Sequence, residues 1–305
     1  MIYLGIFSYE EAISKPASKL REEILKMWKE FVPVKEAAPV KRLLEPEDKK
    51  PAFWSKLLNS TQKLSIAFVY DKKPDTSSWL YAHELGRLHL EEVFPEKVET
   101  RCYIGDVERA ASDGNQVIFT TTPLLMPDSL KAALKYPEVQ ILNCSLNYAW
   151  KSIPTYYARM YEVKFLTGLI AGSMAKGENI GYETDYPIYG NIANINAFAI
   201  GVAMVNPNIK IYLNWTSGKE DKKTADTEQL AVVSAKDMIS ADGYNRRFGL
   251  YSNKNGEILN IATSVFDWGI FYEKIIQQML DGTWKRVSDK ETVSRNYWWG
   301  LSAGV

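Results

Sequence analysis

The stretch from Asp75 to Arg87 reads D-T-S-S-W-L-Y-A-H-E-L-G-R and gathers side chains suited to holding a flat polar ligand. An aspartate accepts hydrogen bonds from an amine or a ring N–H. An indole offers a π face, and stacking on such a face is worth ~1–3 kcal/mol per base. Nothing nearby completes a bond-making set. The chain has no G-x-x-x-x-G-K-[ST], no G-x-G-x-x-G and no G-x-S-x-G. His83 and His89 are its only histidines, six apart on one expected helix, a spacing that does not bring both to one face for a metal. Adjacent helix residues point about 100° apart, so His83 and Glu84 do not form a catalytic pair. The chemistry on offer is recognition. No enzyme, catalytic residue, metal or other cofactor is expected.

These residues need elements to position them. Lys63 to Tyr70 (K-L-S-I-A-F-V-Y) is apolar and β-branched and reads as a buried parallel strand over 64–70. A polar break with Pro74 follows. Leu80, Leu85, Leu88 and Val93 then recur at helical spacing over 77–94, with Ser77 or Ser78 as N-cap. In open α/β sheets ligands bind beyond the carboxyl ends of strands, which puts Asp75 and Trp79 at such an edge. Strands at 98–104, 116–120 and 139–143 alternate with helices at 106–113 and 127–136. The second half repeats the theme with a helix at 156–176, a strand at 179–183, a helix at 192–205 and a strand at 209–215. Weaker strands near 230–234 and 248–251 precede a helix at 270–280. Such spacing implies right-handed βαβ units and parallel sheets.

Aromatic residues fall where strand ends meet a cleft: Trp79, Tyr156, Tyr186, Tyr189, Trp215 and Trp268. The ordinary fate of such residues is the core, and Trp79, beside a polar loop, escapes it best. Asp75, Thr120, Thr121, Asn194, Asn196, Asp237 and Asp267 are candidates for fixing a ligand edge, against ordinary roles as caps and turns. For His83 a hydrogen-bonded place inside the lobe stands level with a role in the cleft. Arg87 and Arg159 are expected to bind carboxylates or backbone carbonyls.

Composition narrows the class. With 37 basic and 37 acidic residues, formal net charge is zero, which argues against a nucleic-acid binder. No run approaches the ~18 apolar residues of a membrane helix. Cys102 and Cys144 are the only cysteines. Two buried free thiols are expected, since neither has a Cys or His at ligand spacing. Residues 1–62 form an N-terminal extension. Leu20, Ile24, Met27 or Trp28, and Phe31 line one face of a helix from about Pro16. A linker with four prolines follows, then an apolar cluster of Phe53, Trp54, Leu57 and Leu58. The extension is read as a strap on the globular part, with a protein-partner arm as the alternative. Without a signal-peptide pattern at its start, the protein is expected in the cytoplasm; an extracytoplasmic lipoprotein whose signal has been removed is the alternative.

The sequence resembles the basic membrane protein family of PnrA-like purine-binding proteins. Asp75, Trp79, Tyr81, His83 and Gly86-Arg87 match its motif, while Ser78 and Leu80 depart from it. The likeness continues through Thr155-Tyr-Tyr-Ala-Arg-Met-Tyr-Glu162, Asn194-Ile-Asn-Ala-Phe198, Asn206-Pro207, Phe266-Asp-Trp-Gly269 and Asp281-Gly-Thr-Trp284. It implies an α/β, two-lobed type I periplasmic-binding-protein fold, each lobe a parallel sheet flanked by helices. Lobe 1 would hold 63–150 with 269–284, and lobe 2 would hold 151–268 with 285–305. It implies a clamp for a purine base or nucleoside, with Tyr186 facing the ligand and Asp267 between the lobes. Adenine is the first expectation, because no ribose-holding aspartate and lysine can be mapped onto the polar stretch holding Lys219, Asp221 and Asp242. The resemblance allows an intracellular sensor or the binding component of a nucleoside transporter.

Overall fold

The computed structural model describes Lys26 and residues 63–146, 152–185, 187–217, 227, 230–236, 247–284 and 295–305. Lys26 is helical and exposed; every other expectation for residues 1–62 lies outside the described residues. The chain divides into two compact units. One comprises Met1–Asp48, Tyr161–Lys236 and Arg247–Ala262, the other Lys49–Met160, Asp237–Arg246 and Thr263–Val305.

The second unit is built around β1 (Leu64–Tyr70), buried along its whole length. Side chains alternate across a strand. Leu64, Ile66, Phe68 and Tyr70 enter one core with Leu80, Leu90, Trp268, Phe271 and Tyr272. Ala67 and Val69 enter another with Val107, Ala110, Ile118 and Ala132. A strand covered on both faces must be apolar throughout, which explains its sequence. Its covers are α1 (Ser78–Val93) and α6 (Trp268–Leu280) on one side, and α2 (Val107–Ser112) and α3 (Met126–Lys135) on the other. The sheet adds β2 (Val98–Ile104), β3 (Val117–Thr120), β4 (Gln140–Cys144), β5 (Thr155–Ala158) and β11 (Asn296–Trp299). The order is β11-β5-β4-β3-β1-β2, every pair parallel.

The first unit holds α4 (Met160–Met174, its first residue just across the division), β6 (Ile180–Thr184), α5 (Tyr189–Val205), β7 (Ile211–Trp215), β8 (Val232–Ser234), β9 (Leu250–Lys254) and β10 (Glu257–Ala262). Its sheet runs β10-β9-β8-β6-β7. Phe198 and Val202 of α5 and Ala171 of α4 meet Ile180, Tyr182, Val232 and Leu250 in its core.

The structure corrects several expectations. The helix expected from Tyr156 starts at Met160. Tyr156 lies in β5, where its carbonyl accepts from the Ser145 N–H at 3.1 Å. Thr155–Ala158 and Asn296–Trp299 therefore pair in the same sheet as β1, whereas the expected boundary put 151–268 and 285–305 in the other lobe. The first unit's sheet is not wholly parallel, because β8–β9 and β9–β10 are antiparallel. The turn between β9 and β10 is Asn255-Gly256, both at positive φ (54° and 88°), as a two-residue hairpin of this type requires. Helical spacing did not fix which face α1 buries. Leu80, His83, Gly86 and Leu90 point inward, while Leu85, Leu88 and Val93 are exposed. Gly86 is the reason: a Cβ there would lie 2.8 Å from the Tyr272 ring, so α1 and α6 close on each other along that line. Ser77 occupies the N-cap position without a side-chain cap bond. Both cysteines are free, but only Cys144 is buried; Cys102 is exposed on the edge strand β2.

Candidate functional site

At the carboxyl edge of the six-stranded sheet, the indole of Trp79 is half-buried and fixed. Its N–H donates to the Thr121 carbonyl at 2.9 Å. Tyr157 lies along one face of it (ring centroids 5.6 Å, interplanar angle 27°). Phe266, Trp268 and His83 meet it at steep angles of 74–79°, with centroids 5.0–5.7 Å away. Tyr157 takes one π face, so any ligand uses the part of the indole that still reaches solvent.

Behind Trp79 runs a buried polar chain. His83 is fully buried and stacks on Trp268 at 4.5 Å and 13°. Its Nδ1 is 2.6 Å from the Tyr272 hydroxyl, which is 3.2 Å from the Tyr156 hydroxyl. Tyr156 O–H donates to the Thr120 carbonyl at 3.3 Å. One proton order satisfies all three contacts: Nδ1–H donates to Tyr272, Tyr272 to Tyr156, and Tyr156 to Thr120. Burial holds the His83 imidazole well below its ordinary value, so it is neutral, with an acceptor lone pair at Nε2. Burial likewise raises the Tyr156 and Tyr272 phenols. Of the expected ligand contacts, His83, Tyr156 and Trp268 are thus core residues that support Trp79 from behind. Thr121 is also fully buried; its hydroxyl donates to Val69 O at 3.1 Å, and its carbonyl is what positions the indole.

Asp75 sits exposed in a 3-10 turn over Pro74–Thr76, just before α1. Asp267 is exposed at the N-cap of α6, without a side-chain cap bond, between Phe266 and Trp268. The residues on either side of Asp267, Phe266 and Trp268, both pack on Trp79. Tyr81 is 45% exposed and leaves α1 on the side of Leu85 and Leu88, away from Trp79. The next residue but two, Glu84, joins a different network. Burial alone would raise its carboxyl, but bonds from Arg87 and Tyr70 outweigh that and hold it below the ordinary value. Arg87 also reaches Glu91 and Thr100, the carboxylate role expected for it.

Sequence reasoning missed Tyr157 and Phe266, along with three polar groups at the ends of the adjacent strands β1, β3 and β4. Asp71 Oδ1, Thr122 Oγ1 and Ser145 Oγ are buried without a hydrogen-bond partner among the described residues. Buried polar atoms are nearly always bonded, so these three can take a further polar partner, as can His83 Nε2 and Trp268 Nε1, which share this state. The only signal in sequence for Asp71, Thr122 and Ser145 is their place just after, or at the end of, expected strands.

In the first unit, Asn194 is half-buried on α5 and Trp215 half-buried at the end of β7. Tyr189, at the start of α5, is 60% exposed. Tyr186 and Asp237 lie outside the described residues. The carboxyl ends of β6, β7 and β8 bring together a group the sequence reading did not find. The Asp185 carboxylate accepts from Thr216 Oγ1 at 2.6 Å and pairs with Lys236 Nζ at 2.9 Å. Burial works to raise Asp185, but these partners keep it low and ionised. A hollow of about 600 Å³ lined by Glu178, Asn179, Asn253 and Lys254 lies instead at the amino ends of β6 and β8. Among the described residues no group of three His, Cys, Asp or Glu could hold a metal ion, and no helix is long and apolar enough to cross a membrane.

Residues 63–244 match a family described as ABC transporter substrate-binding protein, PnrA-like. The chain belongs to this PnrA-like family. Among curated relatives, a purine-binding protein of Brucella abortus is 28% identical over 271 residues, 81% of this chain and 75% of that protein. A Haloferax volcanii protein named as an ABC transporter glucose-binding protein is 24% identical over 80% of this chain and 66% of its own length. Solved structures confirm the periplasmic-binding-protein fold. A solute-binding protein of Conexibacter woesei superposes with a TM-score of 0.58 at 13% identity, covering 79% of this chain and 86% of that one. A transcriptional activator from Bacillus halodurans superposes at 0.57 and 15% identity, covering 79% and 88%. As a PnrA-like protein, the chain is a member of a substrate-binding, not a catalytic, family.

Proposed function

We propose that this protein binds a purine base, adenine first, against the indole of Trp79, and releases it unchanged. The observation that carries the reading is that Trp79 is held at the sheet's carboxyl edge by Thr121, beside the unpaired polar atoms of Asp71, Thr122 and Ser145. Kinship with a purine-binding protein supports the ligand class. The exposed carboxylates of Asp75 and Asp267 are acceptors for adenine's amino group, which hypoxanthine lacks. Ligand binding draws the two units together as a clamp. We further place the protein in the cytoplasm, as a ligand sensor; two unpaired thiols agree with a reducing compartment. The family description equally supports service to a transporter. Fractionating cells that express the native gene separates these: a lipid-modified form in the membrane fraction overturns the cytoplasmic reading.

A second reading, a nucleoside ligand, is favoured by Asp185 and Lys236, whose carboxylate and ammonium are the acceptor and donor a ribose diol needs. Calorimetric titration with adenine, guanine, hypoxanthine and adenosine decides. A site built for the base leaves ribose hydroxyls unpaired at ~1–3 kcal/mol each, so adenosine is expected to bind at least roughly fivefold more weakly. Adenosine binding as tightly as adenine overturns the base reading. Appearance of products on incubation with nucleosides overturns the non-catalytic one.

A further inference from the structure

The hairpin between β9 and β10 turns on the chain's only Asn-Gly pair. Asn255 and Gly256 are both exposed. Asn255 has φ 54°, in the left-handed region that asparagine tolerates better than most residues. Turn geometry explains the choice of this pair. The same pair is chemically reactive, and asparagine counts among the thermolabile residues. Its side-chain amide carbon lies within reach of the next backbone nitrogen. Glycine, with no Cβ, leaves that nitrogen open to approach.

We propose that Asn255 is a site of spontaneous deamidation, and that its isoaspartate product frees strand β10. The Gly256 nitrogen gives its proton to solvent base and forms a bond to the Asn255 side-chain amide carbon. The bond from that carbon to the amide nitrogen breaks, and the nitrogen takes a proton from water and leaves as ammonia. A cyclic imide remains. Water then opens one of its two carbonyl–nitrogen bonds. Opening on the side-chain carbonyl gives aspartate; opening on the main-chain carbonyl gives isoaspartate. Water is the only co-reactant.

The surroundings favour Asn255 over similar pairs. Its side-chain amide makes no hydrogen bond among the described residues. Asp113-Gly114 and Asp281-Gly282 also place glycine next, but their carboxylates are engaged. Asp113 accepts from the Tyr103 hydroxyl at 3.1 Å, and Asp281 from Gln277 Nε2 at 2.7 Å. A carboxylate is also a poorer electrophile than an amide. The restraint on Asn255 is a different bond. The Gly256 N–H donates to Asn253 Oδ1 at 3.0 Å, which aims the nitrogen away from Asn255. Attack therefore waits for the turn to open, and exposed loop tips open at little cost. Isoaspartate routes the main chain through the former side chain and adds a carbon to it. Lys254 and Glu257, paired across the turn, then lose their two-residue connection. Strand β10 is an edge strand paired with β9 alone, so nothing else in the sheet holds it.

Peptide mapping by mass spectrometry on the folded full chain, sampled over weeks at mildly alkaline pH, tests the proposal. The Asn255 peptide should give way to aspartate and isoaspartate forms. Loss should be slower at mildly acid pH, because the attacking nitrogen must lose its proton. Asn253→Ala, which removes the acceptor for Gly256 N–H, should speed the loss severalfold. An Asn255 amide still intact when the urea-unfolded chain has converted overturns the proposal, and so does a rate that Asn253→Ala leaves unchanged. Should that variant fail to fold, comparison of the folded with the unfolded wild-type chain decides. Hydrogen exchange reads the consequence. The isoaspartate form should lose amide protection in β9 and β10, whereas Asn255→Asp, which carries the charge without the longer main chain, should keep it. Equal protection in the two overturns the release of β10.

Discussion

Trp79 carries two loads, and its substitution should reveal both. Trp79→Ala removes a stacking face and should weaken purine binding by ~1–3 kcal/mol, about five- to 150-fold by calorimetry. It also empties a place among Tyr157, Phe266, Trp268 and His83 and leaves the Thr121 carbonyl without its donor. The melting temperature should therefore fall, toward the low end of the roughly 3–5 kcal/mol cost of deleting a large core aromatic, since Trp79 is only half-buried. Unchanged affinity in a folded variant would move the site elsewhere. His83 gives a pH signature. Its pKa lies well below 6.5 in the fold because burial disfavours the charged ring. Below that pH the unfolded chain takes up a proton that the folded chain refuses, so stability falls as pH drops, by at most about 1.4 kcal/mol per pH unit. Melting temperature should decline between pH 7 and pH 5, and the decline should be shallower in His83→Asn; equal slopes would remove His83 as the cause. The sequence made Trp79 legible because a strand, a polar loop and a helix start surround it. It hid Tyr157, because T-Y-Y-A reads as the head of the helix that follows and only pairing with β4 and β11 makes it a strand.

Helix α1 can place Trp79 and His83 only because α6 comes close. Gly86 faces the Tyr272 ring, and Gly269 would set a Cβ 2.8 Å from the His89 ring. Gly86→Val should therefore force the helices apart, costing about 1–3 kcal/mol of stability in urea unfolding. An unchanged midpoint would show that the crossing has slack. This contact also explains which features of the elements could be read in advance. Helical spacing placed α1 correctly along the chain. The side it buries depends on a glycine whose partner is far away in sequence, so helical spacing alone does not show that Leu85 and Leu88 are exposed. The hairpin at Asn255-Gly256 was written in the local sequence. Its strands are short and half-polar, which is why only the first was anticipated. Strand β11 has no local signal that separates it from a loop; its partner β5 lies far back in the chain.

For the molecule as a whole, alternation of strands and helices together with a run of family motifs was enough to anticipate the fold. The membership of each sheet was less legible, because the chain leaves and re-enters each unit. The clamp proposed above predicts closure on ligand. Small-angle scattering should show a smaller radius of gyration at saturating adenine, and an identical profile would exclude a closing clamp. A ligand that binds the folded state must also raise the melting temperature. The central claim is that the ligand is a purine, and relatives named for purine and for glucose set the sharpest contrast. Calorimetric titration of the full chain with adenine and, separately, with glucose tests it most directly. Saturable heat with adenine and none with glucose is the expected result; saturable heat with glucose and none with adenine would contradict it.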